Sequence, residues 1–392
     1  MKKSLAKSSP HVALIIETSK GFGRGLLRGV SRYVRTHNPW SVFIDERGLH
    51  DAPPTWLRKW QGDGIIVRAQ TPRMAEIARE VGVPVVDTLH QLRNLDFPAV
   101  YSDDQAIAQL AAEHLLDRHF RNFAFVGVER SNWSRQRQIA FAEAIHDAGC
   151  KCQIYSPLSR RRFRESWEGG QDDLAEWLEE LPKPIAVMAA HDLRALCILD
   201  ACRRVDLAVP EQIAIIGVDN DDVLCDLADP PLTSVAHQLD RIGHQAASLL
   251  DRMMAGEAPP AEPLFVPPLR IVTRRSTDAV AISDPIIASA LRFIREHACD
   301  SISVQQVVRH SGLSRRALER GFAKYFGSTP HEQIVELQLG RVQQLLMETE
   351  FTLEEIAHRA GFSSSAYLGA LFKKRMEQTP GEYRRAVQHF ES

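Results

Sequence analysis

Hydrophobic and polar positions follow two rhythms along the first two thirds of the chain. Short apolar runs have the character of strands buried on both faces. Between them, apolar residues recur every three or four positions, as on one face of a helix. Val12–Ile16 predicts a strand, Gly21–Gly25 a glycine-rich turn, and Leu26, Val30, Tyr33 and Val34 one side of a helix. Strands follow at Val42–Glu46, Gly64–Val67, Pro84–Thr88 and Val100–Ser102, with helices at Pro54–Trp60, Pro72–Val81 and Asp104–Arg118. The alternation then runs a second time. Its strands are Phe123–Val128, Cys152–Tyr155, Ile185–Ala189, Ile213–Val218 and Thr233–Ala236, and its helices Ser134–Ala148, Gln171–Leu181, Leu193–Val205 and Leu239–Ala255. Strands alternating with helices predict parallel sheets covered on both faces. Two such runs predict a two-lobed α/β clamshell, with a ligand cleft beyond the carboxyl ends of the strands.

The rhythm changes after Asp284 and is helical from there on. Ala288–Ala298 predicts one helix, and Ser303–Pro330 then reads as a helix-turn-helix. Ser303 caps Val304–Arg309, Ser311–Gly312 forms the turn, and Ser314 caps a helix to about Phe326. On that helix Leu318, Phe322 and Tyr325 share one face, while Arg316, Arg320 and Lys324 recur every fourth residue on another. An apolar back and a basic front suit a helix presented to a DNA major groove. Taken alone, the stripe also fits a solvated face of an all-α domain. Pro330–Glu348 is a long helix with Ile334, Leu337, Val342, Leu345 and Leu346 inward, after which the motif returns. Leu353–Ala360 is its first helix, Gly361 its turn, and Ser363 or Ser364 caps a helix to about Arg375. The turn glycines Gly312 and Gly361 lie 49 residues apart. A repeated unit of this kind points to a double DNA reader. The expected division is a tail at 1–9, a sensor at 10–275, a linker at 276–284 and an all-α domain at 285–392.

Composition adds limits. At 392 residues, 44% hydrophobic and 25% charged, the chain is of ordinary globular composition with two or three domains. The basic start MKKSLAKSSP is followed only by HVALII before Glu17, too short for a signal peptide. No apolar run approaches the roughly 18 residues of a membrane helix. A cytoplasmic protein without a membrane partner is expected. The six cysteines are scattered, and only Cys150 and Cys152 are close, with no histidine or cysteine at zinc-site spacing. Neither metal nor cofactor is expected. Net charge is −2, unevenly divided: residues 285–392 hold 14 Lys+Arg against 12 Asp+Glu. That asymmetry supports a DNA partner only weakly, since local placement matters more for phosphate contact.

The strand ends offer groups suited to a sugar, which needs paired acceptors, donors and an aromatic face. Asp219 and Asn220 follow Ile213–Val218. Arg137 starts its helix four residues after Trp133, and His191 and Asp192 follow Ile185–Ala189. The first lobe offers Phe22, Arg24 and Asp103. Trp133 also fits ordinary packing and Asp192 a helix N-cap, while Asp221 and Asp222 suit a solvated loop. Gly21-x-Gly23-x-Gly25 does not match a dinucleotide fingerprint, and there is no Walker lysine motif. Arg160, Arg161, Arg162 and Arg164 suit a solvated loop or an acidic partner surface. No nucleophile motif, metal cluster or paired catalytic acids are evident, so an enzyme is not expected. A sugar-binding protein with an appended interaction domain is the competing class.

Residues 285–390 resemble the AraC-family DNA-binding domain in SGLSRRALERGFAKYFGSTP and in LEEIAHRAGFSSSAYLGALFKKRMEQTPGEYR, which closes on Thr379-Pro380-x-x-Tyr383-Arg384. Residues 10–275 resemble LacI-type, periplasmic-binding-protein-like sensors in Arg137-Gln138-Ile139-Ala140-Phe141, His191-Asp192 and Ile216-Gly217-Val218-Asp219-Asn220. The order, sensor first and DNA reader last, resembles the xylose-operon activators, including PPLRIVTRRSTD at the join. The resemblance implies a sugar-responsive transcription activator with D-xylose or a related monosaccharide as effector. It also implies operator DNA and RNA polymerase as partners, and a homodimer paired through the first lobe. It places DNA contacts on Ser314, Arg315, Arg316, Glu319 and Arg320, and in the second copy on Ser364, Ser365, Ala366, Gly369 and Ala370. Ala370 stands where the family usually has arginine, and Glu377 replaces the usual glycine. Alanine and glycine offer no side-chain hydrogen bond to a base. The first helix is therefore expected to discriminate sequence, and the second to anchor phosphates through Ser364, Lys373 and Lys374.

Overall fold

A computed structural model describes all residues except 1–8, 38, 49–50, 93–94, 156–166, 279–283, 350 and 389–392. The arginine run 160–164, nearly all of the tail and the middle of the expected linker lie outside the described residues. The chain divides into two compact units, 1–279 and 280–392.

The first unit has the expected clamshell plan. In its first lobe β1 (His11–Ile15), β2 (Ser41–Ile44), β3 (Gly64–Val67) and β4 (Val85–Asp87) form a parallel sheet in the order β2-β1-β3-β4. A bridge from Asp87 to Ala99 leads to β5 (Val100–Ser102), which pairs with β11 (Leu264–Val266). The central strands are apolar throughout because both faces are covered. Val12, Leu14, Ile16 and Ile66 meet the helices Gly21–Thr36 and Leu239–Met254 on one side, and Ala13, Ile15 and Ile65 meet Met74 and Ile77 on the other.

Gly21–Gly25 is the first turn of the helix Gly21–Thr36 rather than a loop. A Cβ on Gly29 would collide with the Asp240 carbonyl, and one on Gly243 with that of Leu26. The glycines let the two helices interlock. Pro54–Trp60 holds only a single 3-10 turn, Leu57–Lys59, with no length for a helix. Edge strand β2 is shorter than expected, and its four residues are all exposed.

The second lobe is a six-stranded sheet in the order β12-β10-β9-β8-β6-β7. Its strands are β6 (Asn122–Val126), β7 (Lys151–Ile154), β8 (Ile185–Ala189), β9 (Ile213–Asp219), β10 (Thr233–Ala236) and β12 (Arg270–Val272). Only β12 runs antiparallel, against β10, and it comes from the segment PPLRIVTRRSTD. The chain passes between lobes next to Ser102, His237 and Pro267. There the Asp103 amide donates to the Val266 carbonyl (2.9 Å), and the Leu269 amide to that of Ala236 (2.8 Å). The short helix Asp222–Leu227 was not expected; Asp221, read as solvated loop, is its N-cap. Ser276 and Thr277, read as the start of the linker, are fully buried in this lobe. Ser276 Oγ donates to the Ile215 carbonyl (2.6 Å).

The second unit is all helical: Pro285–His297, Val304–Ser311, Arg315–Phe326, Pro330–Glu348, Leu353–Arg359, Ser365–Met376 and Pro380–Gln388. Ser303, Thr329 and Thr352 form capping boxes with Gln306, Glu332 and Glu355. The long helix Pro330–Glu348 serves two cores. Ile334 packs with Ile287, Leu291, Val307, Leu318 and Phe322, while Val342, Leu345 and Leu346 pack with Ile356, Leu368 and Phe372. Buried Gln338 joins the halves, donating from Nε2 to the carbonyls of Ala298 (2.8 Å) and Gly361 (3.2 Å).

Candidate functional site

The cavity between the lobes is lined at the strand ends. Glu17, Lys20 and Phe22 follow β1, Arg68 follows β3, and Thr88, Leu89 and His90 follow β4. Ser102 and Asp104 lie at the first crossing, and Trp133, Arg137, His191 and Asp219 face them from the second lobe. Six formal charges are balanced, with Glu17, Asp104 and Asp219 against Lys20, Arg68 and Arg137.

Two buried ion pairs organise this set. Arg137 Nε donates to Asp104 Oδ1 (2.8 Å), and Nη1 to the Ala190 carbonyl (2.6 Å), which fixes the guanidinium 5.0 Å from the Trp133 ring centroid. Arg68 Nε lies 3.0 Å from Glu17 Oε2, and its guanidinium carbon 4.2 Å from the Phe22 centroid. Glu17 Oε1 and Arg68 Nη1 are buried without a hydrogen-bond partner. Aromatic rings therefore approach from both lobes, each beside an arginine.

Asp219 ends β9 and is held from the crossing. His237 Nε2 lies 3.1 Å from its Oδ1, and His237 Nδ1 lies 3.1 Å from Ser102 Oγ. Burial alone would raise the Asp219 carboxyl, but the hydrogen bond and charge of His237, with Arg137, hold it below the ordinary carboxylate range. It is an ionised acceptor at neutral pH. Burial pushes the His191 imidazole down to about 4, so that ring is neutral; it stacks on Trp133 at 5.6 Å.

Of the residues expected here, Phe22, Trp133, Arg137, His191 and Asp219 line the cavity, and four do not. Arg24 is exposed and donates to the Thr18 carbonyl (2.9 Å). Asp103 is the N-cap of Asp104–Leu116, accepting from the Ala106 amide (2.9 Å), so its neighbour Asp104 faces the cavity instead. Asn220 Oδ1 accepts from Arg274 Nη1 (2.9 Å). Asp192 is buried behind the cavity, accepting from Ser234 Oγ (2.6 Å) and the Asp221 amide (2.9 Å). It is not the N-cap either: His191 is, through an acceptor nitrogen for the Arg194 amide. Glu17, Lys20, Arg68, Thr88 and His90 were missed, although the strand-end argument applied to the first lobe points to them.

In the second unit, Ser314 caps Arg315–Phe326 and accepts from the Ala317 amide (3.2 Å). Arg316, Arg320 and Lys324 are exposed on this helix, while Arg315 Nε is paired with Glu319 Oε1 at 2.9 Å. In the second copy the cap is Ser364, whose hydroxyl accepts from the Tyr367 amide (3.2 Å). Ser365 is half-buried, and Lys373 and Lys374 are exposed. Tyr367, not singled out from sequence, is 49% exposed on the same helix. Glu377 takes the left-handed C-cap (φ 59°) that Gly327 fills in the first copy (φ 63°).

Three family models match the chain: an XylR N-terminal domain at residues 11–101, a periplasmic binding protein-like domain at 112–277 and a helix-turn-helix domain at 307–386. The xylose operon regulatory protein of Escherichia coli K12 is 32% identical over 385 residues, covering 95% of this chain and 96% of the relative. The Haemophilus influenzae protein of that name is 29% identical over 381 residues, with 95% and 97% covered. A solved structure of a xylose-binding transcription activator, xylR, is 31% identical and superposes with a TM-score of 0.82, covering 97% of this chain and 99% of that one. With a clamshell sensor and two helix-turn-helix motifs, the chain belongs to the family of xylose operon regulatory proteins, DNA-binding transcription regulators that carry a sugar-binding domain.

Proposed function

We propose that the chain is a cytoplasmic activator that senses D-xylose in the cavity between its sensor lobes and acts on a sugar-utilisation operon. The observation that carries this reading is the cavity's balance of charge: three lining carboxylates against three lining cations, with Glu17–Arg68 and Asp104–Arg137 paired to each other and Asp219 held by His237 behind the lining. A sugar acid or phosphate would upset that balance, whereas a neutral polyol suits it. Asp219 and Asp104 supply acceptors, and Arg68, Arg137 and Lys20 supply donors. Phe22 and Trp133 offer apolar faces for C–H groups. Buried Glu17 Oε1 and Arg68 Nη1 would gain partners from a hydroxylated ligand. Xylose is the sugar for which the relatives of Escherichia coli and Haemophilus influenzae are named.

In this reading, sugar held by both lobes favours one lobe arrangement, and its differential affinity biases the DNA-reading unit. Arg316 and Arg320 read bases, with Ser314, Arg315 and Glu319 around them. Ser364, Ser365, Lys373 and Lys374 meet phosphates. The protein acts as a homodimer and activates through RNA polymerase. A thermal-shift screen of monosaccharides tests the sensor assignment. Xylose should raise the melting temperature, and xylose 5-phosphate should not. Stabilisation by the phosphate alone would overturn the assignment.

A further inference from the structure

The turn that delivers Asp219 to the cavity is strained. Asp219 and Asn220 have φ of 112° and 49°, left-handed values that side-chain-bearing residues rarely adopt. Such a turn persists only where its surroundings hold it.

Those surroundings converge on one buried carboxylate. The Asn220 amide donates to Ser234 Oγ (3.0 Å), and that hydroxyl donates onward to Asp192 Oδ1 (2.6 Å). The Asp221 amide donates to Asp192 Oδ2 (2.9 Å), and Cys225 Sγ lies 3.5 Å from the same oxygen. Both amides after Asp219 are therefore tied, directly or through one hydroxyl, to Asp192. That residue is 1% exposed and does not line the cavity. Space for it is reserved within β9, because a Cβ on Gly217 would collide with the Asp192 carboxylate.

We infer that Asp192 is a positioning residue for sugar recognition: it locks the Asp219–Asn220 turn so that the Asp219 carboxylate is presented to the ligand, without touching the ligand itself. The inference rests on the reading of the cavity as a sugar site. The two carboxylates are complementary. Burial first, and the Asp219 charge second, push Asp192 up to about 7, whereas Asp219 stays ionised. Asp192 is therefore only partly ionised at neutral pH, which lessens the opposing charge behind the acceptor.

The test is monosaccharide affinity of the full-length protein by calorimetry, with xylose as the probe, beside sugar-free operator affinity. Asp192→Asn keeps the size but puts an amide donor against one of the donors it must accept from. Ser234→Ala removes the Asn220 tether, and Ser234→Thr keeps the hydroxyl. Asp192→Asn and Ser234→Ala should each weaken xylose binding by tenfold or more, Ser234→Thr should restore it to within threefold, and sugar-free operator affinity should stay within twofold. Should Asp192→Asn fail to fold, the Ser234 pair decides alone. Unchanged xylose affinity in Ser234→Ala, or equal losses in Ser234→Ala and Ser234→Thr, overturns the inference while leaving the sugar site standing. Absence of xylose binding in the unaltered protein overturns the sugar site and the inference with it.

Discussion

Arg137 Nε donates to Asp104 Oδ1 at 2.8 Å, and both side chains are 4% exposed. The pair joins the first crossing between lobes to the helix that follows β6, at the wall of the cavity. Removing Arg137 leaves the Asp104 carboxylate buried beside the His90 imidazole (3.2 Å) without its guanidinium partner, which costs up to about 3–5 kcal/mol. Arg137→Ala should therefore lower the urea midpoint of the sensor as well as abolish sugar binding. Asp219→Ala, whose carboxylate is less buried, should abolish sugar binding with a smaller stability loss. Equal stability in Arg137→Ala would remove the ion pair from its structural role.

The two DNA-reading helices should respond differently to substitution. Arg316→Ala or Arg320→Ala should cost about 1–3 kcal/mol on the operator and relax discrimination at one position. Lys373→Ala and Lys374→Ala should weaken specific and random DNA alike and reduce the salt dependence of binding. Fluorescence anisotropy on both DNAs across a salt series separates these outcomes. Uniform losses from all four variants would contradict base reading by the first helix.

Acid should destabilise the sensor through its buried histidines. Burial, with the Arg118 charge, pushes His114 down to about 4, and burial pushes His191 to about the same value. A depressed histidine binds fewer protons folded than unfolded between about 4 and its ordinary value near 6.5. Its stabilising contribution is complete above that window and is lost as pH falls through it. Asp192, pushed up to about 7, opposes this, since its folded form binds more protons below that value. His114 can be isolated. Its Nδ1 lies 3.2 Å from Arg118 Nη1 and its Nε2 2.9 Å from Thr277 Oγ1, so the neutral ring donates from Nε2. His114→Gln should lose less melting temperature than the unaltered protein between pH 7 and pH 5. An equal drop would contradict the assignment.

Two glycines in the DNA-reading unit should behave oppositely. Gly361 has φ 80°, and a Cβ there would lie 2.7 Å from the Cys299 carbonyl oxygen. Gly361→Ala should cost about 1–3 kcal/mol and weaken operator binding, because this turn joins the two halves through Gln338. Gly340 lies in the long helix with nothing near its missing Cβ. Gly340→Ala should stabilise by roughly 0.5–1 kcal/mol. Circular-dichroism melts of the two variants check the contrast.

The two-lobed plan and the doubled helical motif were legible because each depends on periodicity spread over many residues. The site was legible only to within a residue. Asp103 and Asp104 are identical in chemistry, and which one caps the helix depends on where its first turn begins. Asn220 and Asp192 carry sugar-binding groups, yet Arg274 takes the first and Ser234 the second, partners 54 and 42 residues away in sequence. No local pattern announces such pairings. Glu17 and Arg68 were within reach, since both directly follow apolar strands. The glycines near residue 21 misled for a related reason: Gly25 makes room for Leu239 and Gly21 for Asp221, both far along the chain.

On the proposed function, sugar in the cavity governs the DNA-reading unit. Operator affinity of the full-length protein, measured across a xylose titration, tests it most directly. The unaltered protein should change affinity saturably with xylose, while Asp219→Ala should bind the operator at one affinity whatever the sugar concentration. A saturable response that survives in Asp219→Ala, or an unaltered protein indifferent to xylose, would rule out control of the DNA-reading unit from this cavity.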